Sequence, residues 1–233
     1  LIQNKMYVGE ELIDLKHEIE QKIQLSSSFE IQVIAKQKEI EKQIIVLKTS
    51  AEVLNTKRNK VLPKIKKQLQ SHLQQLGMPY ASFEVVFTKI DQFYQNGNTT
   101  ISFLFSANKG SALQEVGKVA SGGELSRLML AIKYIVAQLS KVNILVFDEI
   151  DTGVSGEIAS LMGDMMLNIS KENQLIAISH LPQIASKANS HLKVVKSIVD
   201  NNTISDVVPL NQQQRVEEIA KLLSGKKLTK AAF

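Results

Sequence analysis

Apolar positions recur at helical spacing over the first third of the chain. From Ile40 they run through Ile44, Leu47, Ala51 and Leu54, then past Arg58 through Val61, Ile65, Leu69, Leu73 and Leu76. The early steps alternate four and three residues, the spacing that keeps one seam turned toward a partner helix. The remaining faces carry Lys, Glu, Gln and Asn. Leu12, Leu15, Ile19 and Ile23 repeat the spacing upstream. Ser26, Ser27 and Ser28 separate the two stretches. They read either as a hairpin turn or as a helix break in which Ser28 caps the next helix. Pro63 lies inside the second stretch and predicts a local bend. So narrow a seam predicts a coiled-coil arm; the other reading is a long helix laid on a globular domain.

Gly77 and Pro79 end the helical pattern, and the period then changes. Phe83, Val85 and Phe87, and then Ile101, Phe103 and Phe105, fall on alternate positions on either side of the turn-rich Gln95-Asn96-Gly97-Asn98, a predicted β-hairpin. A helix is expected from Gly123 to Leu139, a buried strand over Ile144–Phe147 and a helix from Gly156 to Ile169. A second buried strand follows over Leu175–Ile178, and a helix starts after Pro182. A hairpin of Leu192–Val199 with Thr203–Val208 then precedes a helix near Arg215–Leu223. This alternation predicts an α/β fold with a largely parallel sheet covered by helices. The expected organisation is an arm over 1–77, with a break at 26–28 as one reading, and an α/β lobe over 78–233.

Composition narrows the function. The chain has 233 residues, enough for one domain and an extension, and its 44% hydrophobic content can build a sizeable core. The formal charge of +5 is spread along the chain, which permits contact with nucleic acid without arguing for it. Cys is absent, so disulfides and thiolate metal sites are excluded. No apolar run approaches the roughly 20 residues of a membrane span, and no signal peptide is visible. The chain opens with Leu1 rather than Met, which suggests a piece of a longer protein.

Three motifs carry candidate chemistry. In Ser121-Gly122-Gly123-Glu124-Leu125-Ser126-Arg127, small residues precede an amphipathic helix. The glycines let backbone approach a ligand, and free N–H groups at a helix start favour an anion. The bland alternative is an ordinary N-cap. In Ile144-Leu145-Val146-Phe147-Asp148-Glu149, an apolar strand delivers two carboxylates at its C-terminal end, where ligands of open α/β sheets bind. Hard oxygen donors there suit Mg²⁺ with nucleotide phosphates, and Glu149 is placed to activate a water. The alternative is two solvated acids at a strand end. In Ile176-Ala177-Ile178-Ser179-His180, a second strand ends in a hydroxyl and an imidazole. Asp151-Thr152-Gly153-Val154-Ser155-Gly156 forms a Gly-rich loop directly after the carboxylates.

In this order the motifs resemble the C-terminal lobe of an ABC-type ATPase head of the SMC-like class, with a P-loop NTPase-like sheet, flanking helices and a long coiled-coil arm. The resemblance makes Ser121–Arg127 the signature motif and Ile144–Glu149 the Walker B strand. It implies Asp148 as the magnesium ligand, and Glu149 and His180 as catalytic base and switch histidine. Ser121, Gly122, Gly123, Glu124 and the D-loop Asp151 are then nucleotide-contacting positions. The segments Val119–Lys133, Phe147–Gly156 and Ser179–Ala185 are similar to the RecN family of bacterial DNA repair proteins. So are Leu76-Gly77-Met78, leading into Phe83-Glu84-Val85, and Phe105–Gly110. The absence of Cys sets aside repair ATPases with a Cys-x-x-Cys hook, and Glu124 and the arm disfavour a transporter subunit. A chromosome-structure relative and a non-hydrolysing scaffold remain alternatives.

No Gly-x-x-x-x-Gly-Lys-Ser/Thr stretch is present. The resemblance therefore implies ATP and Mg²⁺ as cofactors in a complete protein whose N-terminal half supplies the phosphate loop. It further implies a head-to-head homodimer formed through ATP, DNA as a partner, and a cytoplasmic, nucleoid-associated protein with no membrane role. The fragment alone is expected to be inactive. Lys57-Arg58-Asn59-Lys60 with Lys64, Lys66 and Lys67 reads either as a contact for DNA phosphates or as a solvated coiled-coil face.

Overall fold

The computed structural model describes residues 9–119, 121–140, 142–199 and 202–224. Contacts divide the chain into two compact units. One comprises the described residues up to Lys60 with Lys89–Thr99, the other Val61–Thr88 with the described residues from Thr100 on.

A single helix, α1 (Gly9–Gln75), runs unbroken through Ser26–Ser28 and Pro63. Both the turn and the break expected at the serines give way to helix. The Ser27 hydroxyl donates to the Ile23 carbonyl (3.0 Å), so the side chain is satisfied within the helix rather than competing with it. In the first unit, Leu12, Ile19, Ile23, Phe29, Ile40 and Ile44 of α1 are all exposed. The Thr99 hydroxyl donates to Asn55 Oδ1 there (2.9 Å).

In the second unit the seam of α1 enters a core: Leu69, Leu73 and Leu76 are buried beside Met78, Phe83, Phe105 and Leu128. The helix end follows from the sequence. Gly77 adopts φ 74°, its N–H donates to the Gln74 carbonyl (3.1 Å), and the Met78 N–H donates to the Leu73 carbonyl (2.9 Å). That is a Schellman cap, with buried Met78 and Leu73 as its apolar contact.

Among the described residues the strands form three separate sheets. β1 (Ser82–Tyr94), β2 (Gly97–Ser106) and the two-residue β3 (Gln114–Glu115) make one; β4 (Ile144–Asp148) and β5 (Gln174–Ile178) make the second; β6 (Leu192–Val199) and β7 (Asn202–Pro209) make the third. Among the described residues only β4 and β5 pair in parallel, so the largely parallel sheet expected from the sequence is corrected to one parallel pair. The reason is connection length. α3 (Gly156–Ile169) provides the helical crossover that a parallel pair needs, whereas β2 and β7 follow β1 and β6 too closely in the chain for anything but antiparallel return.

β4 and β5 are also less buried than two apolar runs predict. Leu145 and Phe147 face the core, but Ile144, Val146, Ile176 and Ile178 are exposed. Runs apolar on both faces are the mark of strands covered on both sides, and this chain covers one side. The helices α2 (Gly122–Leu139), α3, α4 (Pro182–Ala185) and α5 (Gln212–Ser224) pack in sequence, α2 on α3, α3 on α4 and α4 on α5. No described helix is long and apolar enough to cross a membrane.

Candidate functional site

Parallel register sets the site. Asp148 lies opposite Ile178 at the ends of β4 and β5, so the loops carrying Glu149 and His180 leave the pair side by side. The Glu149 N–H donates to the Ile178 carbonyl (3.1 Å), one further link beyond the strands. Asp148, Glu149 and His180 are all exposed.

Glu149 has φ 46°, the one positive φ outside glycine among the described residues. A left-handed backbone costs a non-glycine residue about 1–2 kcal/mol, and here a tight turn holds it. The Thr152 N–H (3.2 Å) and hydroxyl (2.8 Å) both donate to the Glu149 carbonyl. The Val154 N–H donates to the Asp151 carbonyl (3.1 Å), which extends the turn.

Asp151 is placed differently from its neighbours. It is 1% exposed, and its carboxylate points inward rather than toward solvent. The Ser179 hydroxyl donates to Asp151 Oδ2 (2.5 Å), and the Leu181 N–H donates to Ser179 Oγ (3.0 Å). His180 Nδ1 lies 3.7 Å from the same Oδ2. Asp151 Oδ1 is buried with no hydrogen-bond partner.

Ser121 caps α2, its Oγ accepting the Glu124 N–H (3.4 Å). The first N–H groups of a helix have no partner within it, and Ser121 and Gly122 are exposed there. Gly123 is buried against the loop after Glu149: a Cβ on it would meet the Gly153 carbonyl oxygen at 2.7 Å. Arg127 ties the helix start to the end of α1. Its Nε donates to the Gly123 carbonyl (3.0 Å) and its NH1 to the Leu76 carbonyl (3.1 Å). Burial pushes the guanidinium pKa below its usual value, with Glu124 opposing.

The fold thus brings Asp148, Glu149, Asp151, Ser179 and His180 to one end of the β4–β5 pair, and it packs Gly123 at the start of α2 on Gly153 of the same loop. The roles of Ser179, Gly153 and Arg127 were not assigned from sequence. Only the density of small residues in Ser121–Gly123 and Thr152–Gly156 hinted at a close backbone approach. Among the described residues no three His, Asp or Glu side chains cluster as a metal site. Asp148 presents one exposed carboxylate at the end of β4, a donor type that suits a hard cation. Among the basic residues of α1, Lys57, Lys60, Lys64 and Lys67 are exposed, while Lys66 Nζ contacts Glu84 (2.6 Å).

No family model matches the chain. Curated relatives do. It is 38% identical over 204 residues to the DNA repair protein RecN of Rickettsia conorii, spanning 86% of this chain and 37% of that protein. It is 32% identical over 220 residues to the RecN of Haemophilus influenzae, spanning 94% of this chain and 39% of that protein. The chain spans less than two-fifths of the length of these relatives. Among solved structures, the Smc head domain of Pyrococcus yayanosii with its coiled coil and joint matches with a TM-score of 0.57 at 18% identity, over 92% of this chain and 42% of that one. The Smc head domain of Pyrococcus furiosus with an extended coiled coil, bound to the C-terminal domain of ScpA, matches with a TM-score of 0.54 at 19% identity, over 92% and 50%. At these identities the likeness establishes the fold: an SMC-type head lobe with a helical arm.

Proposed function

The chain belongs to the RecN family of DNA repair proteins, and from that premise we propose that it is the C-terminal part of an ATPase head, with 1–77 as arm and 78–233 as lobe. The observation that carries this reading is the parallel pairing of β4 with β5. It sets Asp148, Glu149 and His180 at neighbouring strand ends, while Ser121 and Gly122 stand exposed at the start of α2.

In this reading the nucleotide is ATP with Mg²⁺. Asp148 is the carboxylate this chain offers the ion, which supplies charge neutralisation on the phosphates. Glu149, fixed by its turn, orients the attacking water and takes its proton. His180 faces the terminal phosphate. Ser121, Gly122, Gly123 and Glu124 serve the nucleotide of a second head. The N–H donors at the start of α2 that the Ser121 cap leaves free are satisfied by a γ-phosphate, so ATP favours paired heads and ADP does not. The exposed apolar face of Ile144, Val146, Ile176 and Ile178 is the seat of the N-terminal half, which brings the phosphate loop. That half also supplies the helix that covers the seam of α1. Hydrolysis thus belongs to the complete protein, and turnover by this chain alone would count against the assignment. The coupled output is clasping of DNA at breaks.

The test uses the full-length protein carrying Glu149→Gln, in which bound ATP persists. Light scattering is expected to show ATP-driven pairing of heads, and Ser121→Arg is expected to abolish that pairing while ATP still binds. Unaltered pairing in the Ser121→Arg protein overturns the shared site.

A further inference from the structure

We infer that Asp151 is a positioning residue for the proposed hydrolysis: it holds His180 and Ser179 from behind and does not touch the nucleotide. The inference rests on the ATPase reading for its catalytic meaning, but its structural half stands alone.

Three observations carry it. The Asp151 side chain is 0% exposed, while His180 is 71% exposed. A bound phosphate therefore reaches the imidazole and not the carboxylate. An ionised carboxylate is also an acceptor only, so it offers a phosphate oxygen nothing but repulsion. Second, Oδ2 accepts the Ser179 hydroxyl at 2.5 Å, and His180 Nδ1 lies 3.7 Å from the same oxygen, beyond a hydrogen bond but within close electrostatic reach. Third, Oδ1 is buried without a partner. The surrounding turn, bonded through the carbonyls of Glu149 and Asp151, fixes the carboxylate at the root of the loop that presents Glu149.

The chemistry is that of an imidazole backed by a carboxylate. The group facing one ring nitrogen decides which nitrogen carries the proton. Asp151 favours a proton on Nδ1, leaving Nε2 as the outward edge for exchange with water or a phosphate oxygen. Asp151 also spans two motifs, since it ties the exit of β4 to the exit of β5. Glu149 and His180 are thereby held in one frame.

The test labels histidine with ¹⁵N. The chain has four histidines, so a His180→Gln spectrum assigns the ring of interest. Long-range ¹H–¹⁵N couplings of that ring, recorded at alkaline pH, report which nitrogen carries the proton. The Nδ1–H form is expected to dominate in the wild-type protein, and the Nε2–H form in Asp151→Asn. A wild-type ring that is mainly Nε2–H overturns the inference, whether or not the variant folds. So does a spectrum unchanged by Asp151→Asn. In the full-length protein, Asp151→Asn is expected to lower kcat by roughly 10- to 100-fold, the scale of a misplaced catalytic group, with KM for ATP little changed. A raised KM at unchanged kcat would make Asp151 a nucleotide contact and reject the positioning role. If the wild-type full-length protein hydrolyses no ATP, the ATPase reading falls, while the tautomer still decides the relation of Asp151 to His180.

Discussion

Gly122 and Gly123 are neighbours under opposite constraints. A Cβ on Gly122 meets nothing within 4 Å, whereas one on Gly123 meets the Gly153 carbonyl oxygen at 2.7 Å. Gly153 itself has φ 74°, so the loop cannot easily yield. Gly123→Ala is therefore expected to lower stability by about 1–3 kcal/mol, the range for overpacking, and thermal melts of the chain would show it. Gly122→Ala is expected to leave the melt unchanged or to raise it by up to about 1 kcal/mol, because alanine is the better helix former. Equal melts for the two variants would contradict the backbone contact. Residue chemistry was only partly legible beforehand. Asp148, Glu149 and His180 stand out because strand patterns place them at strand ends. The burial of Asp151 does not, because it depends on Ser179, which is distant in the chain and near only through the β4–β5 register.

At the level of elements, α1 has two characters. Its first part leaves most of its apolar stripe exposed, with Ala51 buried, whereas from Leu69 the same stripe is core. Leu73, with no exposed surface, is expected to cost about 2–5 kcal/mol when changed to Ala, and Ile31, 69% exposed, close to nothing. Urea melts of the two variants separate these outcomes; a large loss at Ile31 would mean that its face is covered in solution. The heptad spacing made the helix legible, and the Gly77 cap followed from a glycine at the end of the pattern. The serine triplet looks like a turn in the sequence because its composition does not show that Ser27 bonds back to the Ile23 carbonyl one turn earlier. The limits of β4 to β7 are legible to within a residue, since apolar runs and alternation are local, but β1 continues to Tyr94, well past the alternation that ends at Phe87. Sheet composition was not, because alternating strands and helices do not say which strands pair. The two hairpins return on themselves and leave β4 and β5 as the one parallel pair.

At the scale of the whole molecule, the proposed function requires Glu149 to serve its own head's nucleotide and Ser121 another head's. A parallel pair left bare on one face and a long helix with an uncovered stripe both fit a lobe that is completed by other parts of the protein. The most direct test mixes two inactive full-length variants, Ser121→Arg and Glu149→Gln. In a mixed pair, one site combines an intact Glu149 with the partner's intact signature, and the other site carries both lesions. Mixing equal amounts is expected to restore ATPase activity to a measurable fraction of the wild-type rate, since each mixed pair holds one intact site of two, whereas pairs of either variant alone hold none. A mixture as inactive as its components would show that Ser121 and Glu149 do not serve nucleotides on different heads, and would contradict the account.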